Sequence, residues 1–261
     1  MVSLLLKSHF WMRKADMIKA ITFDFWQTLY ADSSELSRKR QAMRAERCHQ
    51  FLVERGYPCT PTEVDAGFQA AYHFVTERWH RHRGVTENEW IQVFFKTLQL
   101  NFAQPALDGF VKFVGEVLMD TPPVLLPYAK EVLAELSTQY RLGVISDTGL
   151  TPGRVLRQLM ERSQILQYFT VQTFSDETMY TKPELVQFHS TLRRLNVEPV
   201  EAVHIGDLVR TDIVGAKNAG MKAIRFSGVT MGQDDAGLSD AVIDDYRHLK
   251  EIIARLDDPR R

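Results

Sequence analysis

Cysteine is scarce in this chain of 261 residues, which contains only Cys48 and Cys59. So small a number argues against a disulfide-stapled secreted fold. The two residues also lack the spacing of metal ligands, which argues against a cysteine-ligated metal centre. We interpret both thiols as structural. So few cysteines in a protein of this size indicate a reducing compartment, and we expect a cytoplasmic protein.

The chain also lacks an excess of either charge. Its 32 Lys and Arg residues nearly balance 33 Asp and Glu residues, giving a formal net charge of −1. A protein without a general basic field is not expected to bind nucleic acid or an anionic membrane surface. We therefore expect the partner to be a small-molecule substrate, and any anion-binding site to be local.

Long apolar runs are missing as well. No stretch approaches the roughly 18 apolar residues of a membrane span. The three leucines near the N-terminus are too few for the apolar region of a signal peptide. Because Met17 directly precedes the first strong strand pattern, we interpret residues 1–16 either as an N-terminal extension or as the product of a misassigned start site.

Alternating strand and helix patterns are what the sequence does contain. The β-rich run Ile18–Phe23 ends at Asp24, as expected for a buried parallel strand. From Pro127 onward we predict strands at 141–146, 169–174, 201–205, 221–226 and 241–243, and helices at 128–138, 152–161, 183–195, 211–219 and 246–256. This alternation predicts an α/β fold with a doubly wound, Rossmann-like parallel sheet.

A purely helical region interrupts this pattern. We predict helices at 35–55, 61–82, 87–101 and 105–119, with Thr60 and Thr86 as N-cap residues. Four consecutive helices are typical of a small bundle. The predicted organisation is therefore a core of residues 17–31 and 122–261 with an inserted helical module of residues 33–120.

Four short segments lie at or beside the ends of predicted strands: Asp24–Leu29, Ser146–Gly149, Thr181–Pro183 and Gly206–Asp212. In a parallel sheet all carboxyl ends lie at one edge, so segments distant in sequence converge on one crevice. That crevice would hold three carboxylates, one ammonium group and one hydroxyl group, from Asp24, Asp207, Asp212, Lys182 and Ser146.

These residue types predict phosphoryl transfer. Clustered carboxylates repel one another unless a cation is present, and their hard oxygens suit Mg²⁺. The Lys182 ammonium would keep Asp24 ionised and nucleophilic. Ser146, with backbone N–H groups of the following turn, would bind the transferring phosphoryl group.

The order of the four segments resembles the four motifs of the haloacid dehalogenase superfamily, from about residue 17 to residue 226. The resemblance implies a catalytic set of Asp24 as nucleophile, Ser146, Lys182 and Asp212, with Ser146, Asp147 and Lys182 contacting the substrate. It also implies a Mg²⁺ cofactor held by Asp24, Asp207 and the backbone carbonyl of Trp26, with Asp212 binding through water or bracing Lys182. The helical module is similar to the cap that follows the first motif in this superfamily.

One residue departs from the motif. Phosphatases of the superfamily usually carry a second Asp two residues after the nucleophile, where this chain has Trp26. An indole cannot donate a proton to the leaving group and then activate water. We therefore expect a phosphohydrolase that favours substrates whose leaving group needs little protonation.

Other functions stay open at this point. A dehalogenase-like hydrolase would use the same Asp24, and a phosphonatase-like hydrolase would need a cap lysine, for which Lys39 and Lys96 are the candidates. A non-catalytic descendant that binds a phosphorylated ligand is a third possibility. The basic run Arg78–Arg83 ends a predicted helix and is either an anion-recognition element or a solvated helix end.

Overall fold

The computed structural model describes residues 17–100, 109–110 and 113–257. Residues 1–16, interpreted above as an extension, lie outside this range, as does part of the predicted helix 105–119. The strands of the described residues are β1 (Ala20–Phe23), β2 (Tyr30–Ala31), β3 (Val124–Leu125), β4 (Arg141–Ser146), β5 (Phe169–Phe174), β6 (Ala202–Gly206), β7 (Lys222–Phe226) and β8 (Ala241–Ile243).

Six of these strands form one parallel sheet in the order β5-β4-β1-β6-β7-β8. The predicted α/β fold with a doubly wound parallel sheet is confirmed. Strand β1 is central and entirely buried, with β4 on one side and β6 on the other. The chain adds β4 and β5 on one side and then crosses β1 to continue with β6. Strand order therefore reverses beside β1, which is where ligands bind in sheets of this kind.

Strands β2 and β3 form a second, antiparallel sheet, in which Tyr30 pairs with Leu125 and Ala31 with Val124. They flank the helical insertion, so the chain leaves the main sheet and returns to it at one place. The sequence analysis missed both strands. Two residues are too few to show the alternation by which a strand is recognised.

The insertion contains α1 (Ser34–Glu54), α2 (Pro61–His80), α3 (Glu87–Thr97) and the short α4 (Val117–Asp120). Thr60 and Thr86 are N-caps, as predicted, and each forms a reciprocal capping box with the Glu three residues later. Such boxes satisfy two backbone N–H groups that a helix start leaves unpaired. The remaining α-helices are α5 (Ala129–Leu136), α6 (Gly153–Arg162), α7 (Ser175–Thr178), α8 (Leu185–Leu195), α9 (Val214–Asn218) and α10 (Leu249–Leu256).

Two predicted helices are more complex than expected. The range 211–219 divides into a π-helical turn at Val209–Ile213 and then α9, and the range 246–256 begins with a 3₁₀ turn at Tyr246–His248 before α10. The π-helical turn follows Asp207 directly. Sequence periodicity does not distinguish π from α geometry over five residues.

The buried apolar side chains form separate clusters. One cluster surrounds β1 and includes Phe23, Leu142 and Tyr246, whereas another lies within the insertion and includes Phe68 and Trp90. In the described part of the chain, no helix is long and apolar enough to cross a membrane.

Candidate active site

The strand-end segments meet at Lys182, whose ammonium group is buried. Its Nζ donates to Asp24 Oδ1, to Asp212 Oδ1 at 2.6 Å and to the Ile145 carbonyl at 3.1 Å. These three bonds use all three protons of the ammonium group. Burial alone would lower the pKa of Lys182, but the charges of Asp212 and Asp24 raise it above its ordinary value, so the group stays protonated.

Asp212 is held by hydrogen bonds on both carboxylate oxygens. Besides Lys182, Oδ1 contacts His204 Nε2 at 3.1 Å, while Oδ2 accepts from the Leu208 N–H at 3.1 Å. A Cβ atom on Gly206 would lie 2.3 Å from the Asp212 Cγ, so only glycine lets this carboxylate approach the end of β6. The arrangement fixes Asp212 in a bracing position beside Lys182.

His204 was not among the residues predicted for the site. It lies on β6, fully buried, with Nδ1 2.8 Å from the Thr22 hydroxyl oxygen. Burial lowers the pKa of His204, so the ring is neutral at pH 7. A neutral ring donates from Nε2 to Asp212 and accepts at Nδ1 from Thr22. A polar residue inside the apolar run Ala202–Ile205 was the available signal.

Three carboxylates lie close together: one oxygen each of Asp24, Asp207 and Asp212 falls within 4.8 Å of the others. Asp24 and Asp212 share the ammonium of Lys182. When all three carboxylates are ionised, the cluster with Lys182 carries two negative charges in excess. A divalent cation would balance that charge, and carboxylate oxygens are suitable ligands for a hard cation. The residues therefore fit a divalent metal by donor type, spacing and charge.

The three carboxyl groups differ in the direction of their pKa shifts. Burial raises the pKa of Asp24 well above its ordinary value, against the opposing charge of Lys182. Burial and the charge of Asp212 raise the pKa of Asp207 to about 6. Burial would also raise the pKa of Asp212, but the Lys182 charge and the His204 hydrogen bond keep it below its ordinary value. Asp24 and Asp207 are therefore the carboxylates that a bound cation would stabilise most.

Trp26 lines the cavity beside Asp24. Its ring is half-buried and packs edge-on against Phe25, with centroids 5.0 Å apart. Within the described residues, the Trp26 carbonyl accepts no hydrogen bond, whereas the Phe25 carbonyl accepts two. The free carbonyl is available as a further oxygen ligand. Asp207 is oriented by the Thr230 hydroxyl, which donates to its Oδ2.

Ser146 and Asp147 occupy different places although they are adjacent. Ser146 is buried at the end of β4 and is not among the residues that line the cavity, and its Oγ lies 3.4 Å from the Asp147 carbonyl. Asp147 does line the cavity. Its Oδ1 accepts from the Lys182 backbone N–H at 2.9 Å and its Oδ2 from the Trp79 indole N–H at 3.0 Å. Asp147 thus connects the sheet edge with α2.

The cavity beside Asp24 has a volume of about 540 Å³. The strand-end residues line one side, and one face of each of α1 and α2 lines the other. We call the second side the helical wall, which consists of Ser37, Arg40, Gln41 and Arg44 from α1 and Tyr72, Val75, Thr76 and Trp79 from α2. In both helices these positions are spaced by three and four residues, which places them on a single face.

Of the basic run Arg78–Arg83, only Trp79 belongs to the helical wall. Arg81 extends to Glu77 on the surface, and Arg83 lies over the Tyr180 ring. The Trp79 ring is covered by the Arg210 guanidinium, 4.2 Å from its centroid. Apart from Trp79, the run is therefore not a cavity element.

Comparisons with known proteins agree with this geometry. A family model described as haloacid dehalogenase-like hydrolase matches residues 18–220. The chain is 30% identical to a glyceraldehyde 3-phosphate phosphatase of Methanothermobacter thermautotrophicus, over 91% of this chain and 100% of that protein. It is 33% identical to a ribulose-1,5-bisphosphate 5-phosphatase of Halopiger xanaduensis, again over 91% and 100%. A 2-haloacid dehalogenase structure from Pseudomonas syringae matches with a TM-score of 0.70 at 25% identity, over 92% of this chain and 99% of that one.

Proposed function

The chain belongs to the haloacid dehalogenase-like hydrolase family, and we propose that it is a Mg²⁺-dependent phosphohydrolase of a small phosphorylated metabolite. One observation carries the proposal: Lys182 and three carboxylates are buried together beside a cavity at the reversal point of the sheet. Two similar proteins are named as phosphatases of small phosphorylated compounds. Both free cysteines and this chemistry are consistent with a reducing, cytoplasmic location.

The proposed reaction uses Asp24 as nucleophile. A carboxylate oxygen of Asp24 forms a bond to phosphorus while the bond from phosphorus to the leaving oxygen breaks, giving an aspartyl-phosphate. Water then attacks phosphorus while the bond from phosphorus to the Asp24 oxygen breaks, which restores the carboxylate and releases phosphate and a proton. Lys182 holds Asp24 in place through its Nζ, and Asp212 braces Lys182.

Asp24, Asp207 and the Trp26 carbonyl are the proposed Mg²⁺ ligands, with Asp212 in a supporting position. When bound, Mg²⁺ would balance the charge of the carboxylates and of the phosphoryl group. On the other side, the turn of residues 147–149 is proposed to contact the phosphoryl group, since Asp147, Thr148 and Gly149 line the cavity. Ser146 would support that turn from its buried position at the strand end.

The inserted helices are proposed to act as a cap. The helical wall faces the proposed nucleophile across the cavity, and Arg154 of α6 forms an ion pair with Glu87 of α3 at 3.0 Å. We propose residues 17–31 and 122–261 as the catalytic core and residues 33–120 as the cap. A cap of this kind excludes water from the reacting phosphoryl group.

Protonation of the leaving group distinguishes this chain from a general phosphatase. Trp26 has no carboxylate for that step, and Asp147 has both oxygens occupied by N–H donors. We therefore propose activated phosphates, such as acyl or aryl phosphates and anhydrides, as preferred substrates.

A dehalogenase is the second candidate, supported by Trp26 in place of the acid and by the match to a 2-haloacid dehalogenase structure. The carboxylate cluster argues against it, because dehalogenases of the superfamily need no metal. The phosphonatase hypothesis loses its support: Lys39 and Lys96 are exposed, and neither lines the cavity.

The test is a panel of aryl phosphates, acyl phosphates and 2-haloacids, each assayed with Mg²⁺ and with a chelator. Phosphate release that a chelator abolishes supports the proposal. Halide release that a chelator leaves unchanged would establish the dehalogenase. A single turnover in water labelled with heavy oxygen separates them further, because a dehalogenase places the label in the Asp24 carboxylate and a phosphohydrolase places it in phosphate.

A further inference from the structure

Two arginines of the helical wall lie one turn apart on α1, and both are almost completely buried, with exposed fractions of 6% for Arg40 and 4% for Arg44. The Arg40 guanidinium has partners within the protein, because it forms an ion pair with Asp32 and donates to the Thr121 carbonyl at 2.8 Å. Its charge is compensated within the protein. We therefore interpret Arg40 as a structural residue that ties α1 to Asp32 and Thr121.

Arg44 lacks such compensation. Its Nη1 donates to the Tyr72 hydroxyl oxygen at 2.9 Å, and its buried Nε has no hydrogen-bond partner. Within the described residues, no carboxylate forms an ion pair with Arg44. Burial lowers the pKa of Arg44, Tyr72 opposes that shift, and the nearby charge of Arg40 adds a smaller lowering. A buried guanidinium with an unpaired donor at the edge of a cavity is unfavourable unless an anion completes it.

The position of Arg44 indicates how far this anion lies from the proposed reaction centre. Trp79 contacts Asp147 at the sheet edge, and Tyr72 contacts Arg44. Trp79 and Tyr72 are seven residues apart on α2, which corresponds to about 10 Å along the helix axis. The α2 residue that contacts Arg44 is therefore about 10 Å along the helix from the one that contacts Asp147.

The helical wall between these ends carries polar side chains beside the apolar Val75. It offers the hydroxyl groups of Ser37 and Thr76 and the amide of Gln41. Hydroxyl and amide groups hydrogen-bond the hydroxyl groups of a ligand. The wall can therefore hydrogen-bond the hydroxyl groups of a hydroxylated ligand.

We propose that Arg44 is a specificity-determining residue that binds a second anionic group, so that the substrate is a hydroxylated dianion with a phosphate at one end and a phosphate or carboxylate at the other. The proposal rests on the proposed function for the position of the reacting phosphate. The class includes acyl phosphates of phosphorylated sugar acids of about five or six carbons, long enough to span the ~10 Å that separates Tyr72 and Trp79 along α2, and stable sugar bisphosphates and phosphorylated sugar acids serve as binding probes for it.

The test measures binding rather than turnover. In an Asp24→Asn background, which prevents reaction, calorimetry with Mg²⁺ compares ribulose 1,5-bisphosphate with ribulose 5-phosphate, and 6-phosphogluconate with sorbitol 6-phosphate. Each pair differs in the second anion, and the two pairs distinguish a phosphate from a carboxylate. We expect at least one dianion to bind about 10-fold or more tightly than its partner, as for a charge-assisted hydrogen bond.

Arg44→Gln should remove that preference while leaving the affinity for the monoanion within about threefold. Arg44→Lys should restore part of it, because a lysine keeps the charge without the planar donor pair. Arg38→Gln is the matched control, since Arg38 is exposed on the same helix and does not line the cavity. A purely structural role for Arg44 would weaken both members of a pair equally.

Equal affinity for dianion and monoanion in the Arg44-containing protein, or a preference that survives Arg44→Gln, would overturn the proposal. So would failure of both dianions to bind. Failure of the proposed function is seen separately, in a protein with Asp24 intact that releases no phosphate from an aryl phosphate in the presence of Mg²⁺.

Discussion

The two sides of the cavity differ in how completely their polar groups are paired. On the sheet side, every proton of the Lys182 ammonium and both oxygens of Asp212 have partners within the protein. On the helical wall, the buried Arg44 Nε has none. We propose that the two sides have different roles, in which the sheet edge holds the reacting groups and the helical wall is completed by the substrate. Variants on the two sides should therefore fail in different ways.

The largest effect is expected from Asp24→Asn on the sheet side. The change keeps the shape of the side chain but removes the attacking oxygen, so activity should fall by at least about 10⁴-fold. Burial already raises the pKa of Asp24, so a neutral amide should not lower the thermal midpoint. Phosphate release and thermal melting would be compared with Asp65→Asn, which changes an exposed carboxylate. Substantial turnover in the Asp24 variant would move the nucleophile elsewhere.

Trp26→Asp should enlarge the substrate range of the sheet side. A carboxylate at this position supplies the missing acid–base catalysis, which contributes about 10² to 10⁴-fold in rate. Alkyl-phosphate hydrolysis should rise within that range, and the dependence of rate on leaving-group acidity should become flatter. Trp26→Asn controls for the loss of the ring. Efficient alkyl-phosphate hydrolysis by the unaltered protein, with no leaving-group dependence, would show that another group provides the proton.

Asp207→Asn should separate metal binding from stability. Loss of a metal ligand removes several kcal/mol of transition-state stabilisation, so activity should fall by about 10²-fold or more. Because the folded-state pKa of Asp207 is raised from 3.8 to about 6, ionising this group opposes folding as the pH rises through that range. Without metal, the variant should therefore be more stable than the original protein at pH 7, by roughly 1 kcal/mol or more, but not at pH 4.

Thermal melts at both pH values, with and without Mg²⁺, check this expectation. Mg²⁺ should raise the melting temperature of the original protein and have little effect on the variant, because binding to the folded state alone stabilises it. A variant that is less stable at pH 7 without metal, or one that Mg²⁺ still stabilises fully, contradicts the assignment of Asp207.

The smallest effect is expected where the two sides touch. Trp79→Phe keeps a ring but removes the N–H that bonds to Asp147, leaving a carboxylate oxygen of the half-buried Asp147 without that donor. The loss should reduce stability by about 1–3 kcal/mol and activity by less than about 10-fold. Trp90→Phe measures the cost of lost indole volume alone at a fully buried position, since its indole nitrogen has no hydrogen-bond partner. A loss of less than about 0.5 kcal/mol with Trp79→Phe would mean that the Trp79 contact contributes little.

The same contrast explains what could be predicted from the sequence. The sheet was predictable because short β-rich runs such as Ile18–Phe23 are typical of buried strands. The meeting of the strand-end segments was predictable because parallel strands place their carboxyl ends at one edge of the sheet. Asp24, Lys182 and Asp212 are brought into contact across 158 and 30 residues by that topology. Their roles as nucleophile, positioning lysine and brace stay proposals that the variants above test.

The helical wall could not be predicted in the same way. Ser37, Arg40, Gln41 and Arg44 share a face, but the rotation that turns this face toward the cavity depends on packing within the insertion. The burial of Ser146 and the contact of His204 with Asp212 likewise depend on side-chain geometry, which the order of the motifs in the sequence does not specify. Polar residues at a helical spacing, on helices that also carry an apolar face, were the one signal available.

The central claim is that Asp24 is the phosphoryl acceptor, and rapid acid quenching tests it most directly. The protein would be mixed with Mg²⁺ and an excess of an aryl phosphate, quenched during turnover, digested and examined by mass spectrometry. We predict a phosphoryl group on the peptide that contains Asp24, present only with Mg²⁺ and absent from the Asp24→Asn variant. Steady turnover with the phosphoryl group on a different residue would contradict the account.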